Sequence, residues 1–352
     1  MPKRKPPQDP NTPNETGTLI EAKERFPGKI SKQTHRILDQ IVAASQARQY
    51  EEQEQVVGLR PLILCGIPLR RHKESYYQRQ NGPFKVEFVS HPKFGVPYGQ
   101  DRLIPIFLAT LFSALGCPED NKIRFLYARD ILRLFALPEN GAHYKRLKEG
   151  FMRWNHTMVS FETRYLTKRG KAGRTTEKYI LIPQGYLWNK EDDKEEIPNE
   201  ICLDSRWADE IRKHPIPIDL QTVKALAAYP GALDFYCWQI WRCYCIKQTT
   251  RIPFEGETGL FAQIGCLAGQ ESWELKRTLK RWQSRIKSLW PECPNTFGTD
   301  GKSFLLQPAK ALGTLQANRF LLQVIRTAQA KPTPPRPFIP GWDDFDPFPS
   351  SE

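Results

Sequence analysis

Two stretches of this chain repeat one demanding pattern, a helix that is greasy on one side and cationic on the other, followed at once by a glycine-containing hairpin. In "QESWELKRTLKRWQSRIKSLW", Leu275, Leu279, Trp282, Ile286 and Leu289 recur at steps of four, three, four and three, which places them along one helical stripe. Lys276, Arg277, Lys280, Arg281 and Lys287 gather opposite, with Arg285 among them. The following "CPNTFGTDGKSFLLQP" reads as two strands around a turn holding Gly298, Gly301 and Lys302. Upstream, Tyr144, Leu147, Phe151 and Trp154 form a similar stripe, and Lys145, Arg146, Lys148 and Arg153 occupy the rest of that helix. "TMVSFETRYL" and "TEKYILIP" then read as strands joined by "TKRGKAGR", a turn crowded with Lys168, Arg169, Lys171 and Arg174.

Helical periodicity at 101–115 (Leu103, Ile104, Phe107, Leu108, Leu111, Leu115) and at 127–136 precedes the upstream pair, with Pro105 in the opening turns of the first helix. Helix, helix, basic helix, basic hairpin is the order of a winged helix. The downstream copy is preceded by apolar helices at 222–246, bent at Tyr229-Pro230-Gly231, and by a short helix near 257–267. The sequence thus predicts an α+β fold of tandem winged-helix domains with proline-rich, disordered termini. The expected division is a basic tail at 1–28, a first domain at 29–190, an acidic linker and connecting strand at 191–204, a second domain at 205–312, and a short helix with a proline-rich tail at 313–352. The first domain begins with an amphipathic helix from Ser31, whose polar far end "QYEEQEQ" is assigned to solvent. Residues 59–98 are read as short strands and turns, with Asn81-Gly82 as a turn signal beside alternating Phe84, Val86 and Phe88.

Charge gives the pattern a purpose. Lys and Arg number 52 against 39 Asp and Glu, a net +13. The excess is concentrated, with +7 in residues 142–178 and +4 in 271–289, whereas the acidic run at 189–196 carries −3. Localised cationic surface is what tracking a phosphate backbone requires. A helix is narrow enough to enter the major groove, where arginine can donate two hydrogen bonds to guanine. Arg277, Arg281 and Arg285 are therefore candidate base readers, and Lys276, Lys280 and Lys287 candidate phosphate contacts. Arg169 and Arg174 suit a narrow minor groove beside the hairpin.

Other classes lack their signatures. The longest apolar stretch, at about 103–117, falls short of the roughly 20 residues a membrane span needs. The N-terminus has no apolar core of a secretory signal, and the eight cysteines show no Cys-x-x-Cys pair, which fits a reducing, cytoplasmic setting. Cys237, Cys243 and Cys245 lack an accompanying histidine, so core packing is favoured over a metal site. "GTDGKS" has Thr296 where a phosphate-binding loop needs glycine and is read as a turn. No H-E-x-x-H occurs and no two histidines lie within two residues, which disfavours a metal-dependent nickase; Tyr76-Tyr77 is read as surface or strand packing. No enzyme activity, catalytic residue, metal or cofactor is expected.

"GVPYGQDRLIPIFLATLFSALG" at 95–116 and the following "IRFLYARDILRLFAL" resemble the plasmid-encoded RepA replication initiators, and more broadly the TrfA-like winged-helix initiators of iteron plasmids. The likeness covers about residues 60–190 by motif and 205–312 by architecture alone. It implies a non-enzymatic protein that binds double-stranded DNA with direct repeats as a monomer and helps open an A·T-rich stretch. It also implies recruitment of host initiator and replicative helicase, pairing as a homodimer through the first winged helix, and a cytoplasmic location with the bacterial nucleoid or plasmid. Pro97, Tyr98, Gly99 and Arg102 are the matching positions, the first three read as turn chemistry. A winged-helix transcriptional repressor is the first alternative, an origin nickase or relaxase the second.

Overall fold

A computed structural model describes residues 54–166, 172–187, 198–265, 271–309 and 319–331, together with Asp39 and Val42. The helix expected from Ser31 and both termini otherwise lie outside these residues. The first described strand, β1 (Gln55–Gly58), is wholly buried. Gln55 is therefore interior, not solvated as its polar neighbours suggest, because the strand is covered on both faces. Where short strands and turns are expected, Arg60–Leu64 is a helix, α1, with Pro61 in the opening turn that tolerates its missing N–H. β2 (Tyr76–Asn81) and β3 (Phe84–Ser90) form the hairpin that Asn81-Gly82 signals, pairing Asn81 with Phe84.

A 3₁₀ turn over Gly99–Arg102 leads into α2 (Leu103–Ala114), buried from Leu103 through Phe112. β4 (Lys122–Phe125), α3 (Ala128–Leu134) and α4 (Gly141–Asn155) follow. Asn140 caps α4 by accepting the His143 N–H at 3.1 Å. β5 (Thr157–Leu166) and β6 (Ala172–Ile180) are the predicted hairpin, and they extend a four-stranded antiparallel sheet in the order β2-β3-β5-β6. β7 (Gln184–Tyr186) and β8 (Asn199–Cys202) complete a separate sheet, β4-β8-β7.

Asp204 caps α5 (Ser205–Lys213), β9 (Ile216–Asp219) pairs with β1, and Asp219 caps α6 (Leu220–Leu226). Pro230 opens α7 (Pro230–Cys245), as the Tyr-Pro-Gly signal suggests. β10 (Thr250–Pro253), α8 (Leu260–Ile264), α9 (Ser272–Leu289), β11 (Thr296–Phe297) and β12 (Ser303–Leu306) then form a helix-bearing unit with sheet order β10-β12-β11. The last helix, α10 (Arg319–Gln329), buries Leu321, Val324, Ile325 and Ala328 and packs against β4, α2 and α3.

The architecture is mixed α+β, and elements from both sides of 191–204 share sheets and one apolar core. The acidic run itself lies outside the described residues. Two side chains tie the early sheet and turn to the later helices. Arg102 clamps Asp234 of α7 with two hydrogen bonds of 2.7 and 2.8 Å, and it also donates to the carbonyls of Gly99 and Ile67. Arg79 of β2 donates to the Gln263 carbonyl in α8 at 2.6 Å. Among the described residues, no helix is long and apolar enough to cross a membrane.

Candidate nucleic-acid interface

The helix α9 is positioned by what it buries. Leu275, Leu279, Ile286 and Leu289 enter the core as the periodicity predicts. Trp282 stays partly exposed, because its indole lies over Gly231 of α7. A Cβ there would sit 2.2 Å from the ring, so only glycine permits this approach of the two helices. Gln283 takes the remaining interior position and makes a polar cluster with α7 and the following loop. It accepts from Gln239 Nε2 at 2.8 Å and donates to the Asn295 carbonyl at 3.2 Å, while Asn295 Nδ2 donates to Gln239 Oε1 at 2.9 Å. Such a satisfied buried network fixes the rotation of α9 about its own axis, since a turn of the helix would orphan several amide groups at once.

That rotation leaves a continuous outward stripe of Trp273, Arg277, Lys280, Arg281 and Ser284. Among the described residues, no carboxylate forms an ion pair with Lys276, Arg277, Lys280, Arg281 or Lys287. Lys276 is half-buried with its Nζ 5.3 Å from the Phe254 ring centre, and Lys287 is half-buried. Arg285 differs from its neighbours: its guanidinium lies 3.4 Å from the Tyr229 ring centre, so it is stacked against the protein. Beside α9, Lys302 is exposed in the β11–β12 turn. That turn is held by Asp300, which accepts from the backbone N–H of Lys302 and from Ser303, and these bonds keep its carboxyl below the usual carboxylate range. The "GTDGKS" segment is thus a capped β-turn.

In the upstream pair the cations divide. Lys145 and Lys148 are exposed on α4 without an ion pair among the described residues, and exposed Arg146 donates to Gln100 Oε1 at 2.8 Å. Arg153, expected on the solvent face, is instead interior. Its guanidinium donates to both Asp101 oxygens at 2.6 and 3.0 Å and lies over the Tyr98 ring, with the Arg153 side chain 7% exposed and that of Asp101 3%. Buried Gly150, one turn before Arg153, lets α4 approach the 3₁₀ turn closely, since a Cβ there would sit 2.7 Å from Asp101 Oδ1, and the Asp101 carboxylate therefore lies within reach of Arg153. Arg174 is exposed on β6 with Glu162 3.6 Å away on β5. Lys168, Arg169 and Lys171 lie outside the described residues.

The "PYGQDR" segment works as turn chemistry. Gly99 adopts φ +56 and donates its N–H to the Pro68 carbonyl, while Asp101 accepts from the Tyr98 N–H at 2.9 Å. Sequence reading passed over Asp101, Asp234, Gln239, Gln283 and Asn295, whose buried roles become legible only once their distant partners are known. Trp273 carried a signal: it is the aromatic residue on the polar side of α9, and it is 62% exposed. Among the described residues, no group of three or more His, Cys, Asp or Glu is placed to hold a metal ion; Cys237 and Cys243 are buried and Cys245 is exposed.

No known family pattern matches this sequence, and no curated protein matches it. Among solved structures, the chain is similar to a selenomethionine derivative of domains 2 and 3 of RctB, with 16% identity and a TM-score of 0.44 over 62% of this chain and 81% of that one. A second crystal structure of RctB domains 2–3 aligns with 13% identity and a TM-score of 0.41, over 69% of this chain and 94% of the other.

Proposed function

We propose that this protein is a replication initiator that binds repeated origin DNA through two winged-helix modules and carries no enzymatic activity of its own. The observation that carries this is α9: a helix locked by a buried amide network, turning Arg277, Lys280 and Arg281 outward with no carboxylate paired to them among the described residues. Its 18 residues span about 27 Å at 1.5 Å per residue, enough to lie along a major groove. The surrounding order, α7, β10, α8, α9, then the β11–β12 hairpin on a β10-β12-β11 sheet, supports the winged-helix reading, in which Lys302 in the hairpin turn suits the adjacent backbone. The upstream copy, α2, β4, α3, α4 and the β5–β6 hairpin, adds Lys145 and Lys148 as phosphate contacts. The "PYGQDR" resemblance to plasmid initiators directs the reading toward origins, direct repeats, local A·T opening by DNA deformation, and recruitment of host initiator and helicase. Homodimer formation through the first module belongs to the same proposal.

Footprinting the purified protein on DNA flanking its own gene tests it. Protection of tandem repeats is the expected result, with an affinity that falls steeply as salt rises, by about 0.9 in log K per log salt for each phosphate neutralised. Protection of a single promoter palindrome favours the repressor. Nicking of supercoiled origin DNA with Mg²⁺ overturns the non-enzymatic reading.

A further inference from the structure

On α9 the outward stripe begins with an indole, not a charge. Trp273 is the second residue of the helix and is 62% exposed, whereas Phe254 and Leu260, which precede α9 in the chain, are buried. Holding so large an apolar side chain in water forgoes the burial free energy that its area offers, so a lone exposed tryptophan on a cationic stripe suggests an occupant that covers it in the bound state. Ser272 before it donates to Glu255 Oε1 at 2.7 Å, which anchors this first turn to the loop ahead of α8. Arg277, Lys280 and Arg281 follow at four, seven and eight residues, on the same face. The occupant that fits an indole continuous with three cations unpaired among the described residues is double-stranded DNA. Recognition helices present their N-terminal residues to base edges, and the only apolar group on those edges in the major groove is the thymine C5-methyl.

We propose that Trp273 is a specificity-determining residue that packs against the C5-methyl of one thymine in the major groove, beside the base contacts made by Arg277. This deepens the duplex-binding reading above and rests on it. Neighbouring Glu274 is half-buried on the same first turn, where a carboxylate can accept from a cytosine amino group, so the turn is equipped to read a pyrimidine step.

The test uses the full-length protein and a duplex enriched by it from a random 20-base-pair library. Each thymine of the enriched duplex is replaced in turn by deoxyuridine, which removes only the methyl group. The wild-type protein should lose affinity about threefold to tenfold at one substituted position, in line with the loss of one buried methyl, and little elsewhere. Trp273→Ala should bind the thymine duplex weaker by at least that factor and be insensitive to deoxyuridine at that position, with its salt dependence unchanged. Because the side chain is exposed, the variant should unfold at the same denaturant midpoint as wild type. Unchanged affinity and an unchanged deoxyuridine profile in Trp273→Ala overturn the proposal, as does a library from which no sequence is enriched. The triple variant Arg277→Ala, Lys280→Ala, Arg281→Ala separates this from the underlying reading: if it binds duplexes as wild type does, the face is wrongly assigned and both fall, whereas a weakened triple variant beside an unaffected Trp273→Ala removes the tryptophan contact alone.

Discussion

Replacing Arg153 by alanine leaves the Asp101 carboxylate in the interior with a single remaining partner, the Tyr98 N–H at 2.9 Å. Two guanidinium bonds of 2.6 and 3.0 Å disappear with the arginine, and the group left behind is 3% exposed. An uncompensated buried charge of this kind costs about 3–5 kcal/mol, a large part of the roughly 5–15 kcal/mol that holds a typical protein folded. The effect spreads through the turn, because the Asp101 carbonyl also accepts from Trp154 Nε1 at 2.8 Å and thereby fixes the C-terminal end of α4. Denaturant unfolding followed by tryptophan fluorescence at pH 7 should show a markedly lower midpoint. Partial rescue is expected when Asp101→Asn is added to Arg153→Met, since the pair is then replaced by groups that do not leave a naked charge. The salt slope of duplex binding, measured where the variant is folded, should match wild type. A stability loss below about 1 kcal/mol together with a slope shallower by about one unit would refute this, by showing that Arg153 meets phosphate and not Asp101.

On α9, Arg277→Ala or Arg281→Ala should cost about 1–3 kcal/mol of affinity for the preferred duplex if that residue reads a base, checked by competition against mismatched sites. Lys302→Ala should weaken all duplexes alike and reduce the salt slope by about one unit, measured by titration at several salt concentrations. Gly231→Ala forces a methyl group against the Trp282 indole and should destabilise by about 1–3 kcal/mol in denaturant unfolding. Native alkylation at pH 7.5 read by peptide mass spectrometry should label exposed Cys245 well before Cys65 and Cys243, whose thiols burial pushes up to about 11.

Periodicity finds α9 and α4 because each buries a stripe of fixed spacing, and Asn81-Gly82 marks its hairpin because the two-residue Gly82-Pro83 loop uses the positive φ that Gly82 adopts. Local sequence was blind where a partner lay far along the chain. Arg153 reads as a surface cation until Asp101, 52 residues earlier, is seen to meet it. Gln283 carries no local signal of its buried role, which appears only when Gln239 and Asn295 close around it, and Gln55 reads as solvated until β1 is found paired with β9. Arg60–Leu64 is a helix where strand is expected, because a short apolar run has no decisive period and a proline in its first turn is compatible with either conformation.

Two of these differences share a direction that bears on the proposed function. Gln55 and Arg153 both move from surface to interior, and Arg153 takes its charge off the outward face of α4. On α4, losing Arg153 leaves Lys145 and Lys148 as exposed cations without an ion pair among the described residues, with Arg146 engaged by Gln100. On α9, Arg285 is drawn onto Tyr229, yet Arg277, Lys280 and Arg281 stay outward and unpaired among the described residues. The interior amides of α9 fix its rotation, and that rotation holds the three outward cations at one angle. Under the proposed function, the asymmetry between the helices supports assigning base reading to α9 and supporting contacts to α4. Reversing the charge of Lys145 and Lys148 together should weaken binding to all duplexes without changing which sequence a random library yields, whereas Arg277→Ala or Arg281→Ala should alter that sequence. Enrichment of a different sequence by the Lys145→Glu, Lys148→Glu variant would invert the assignment.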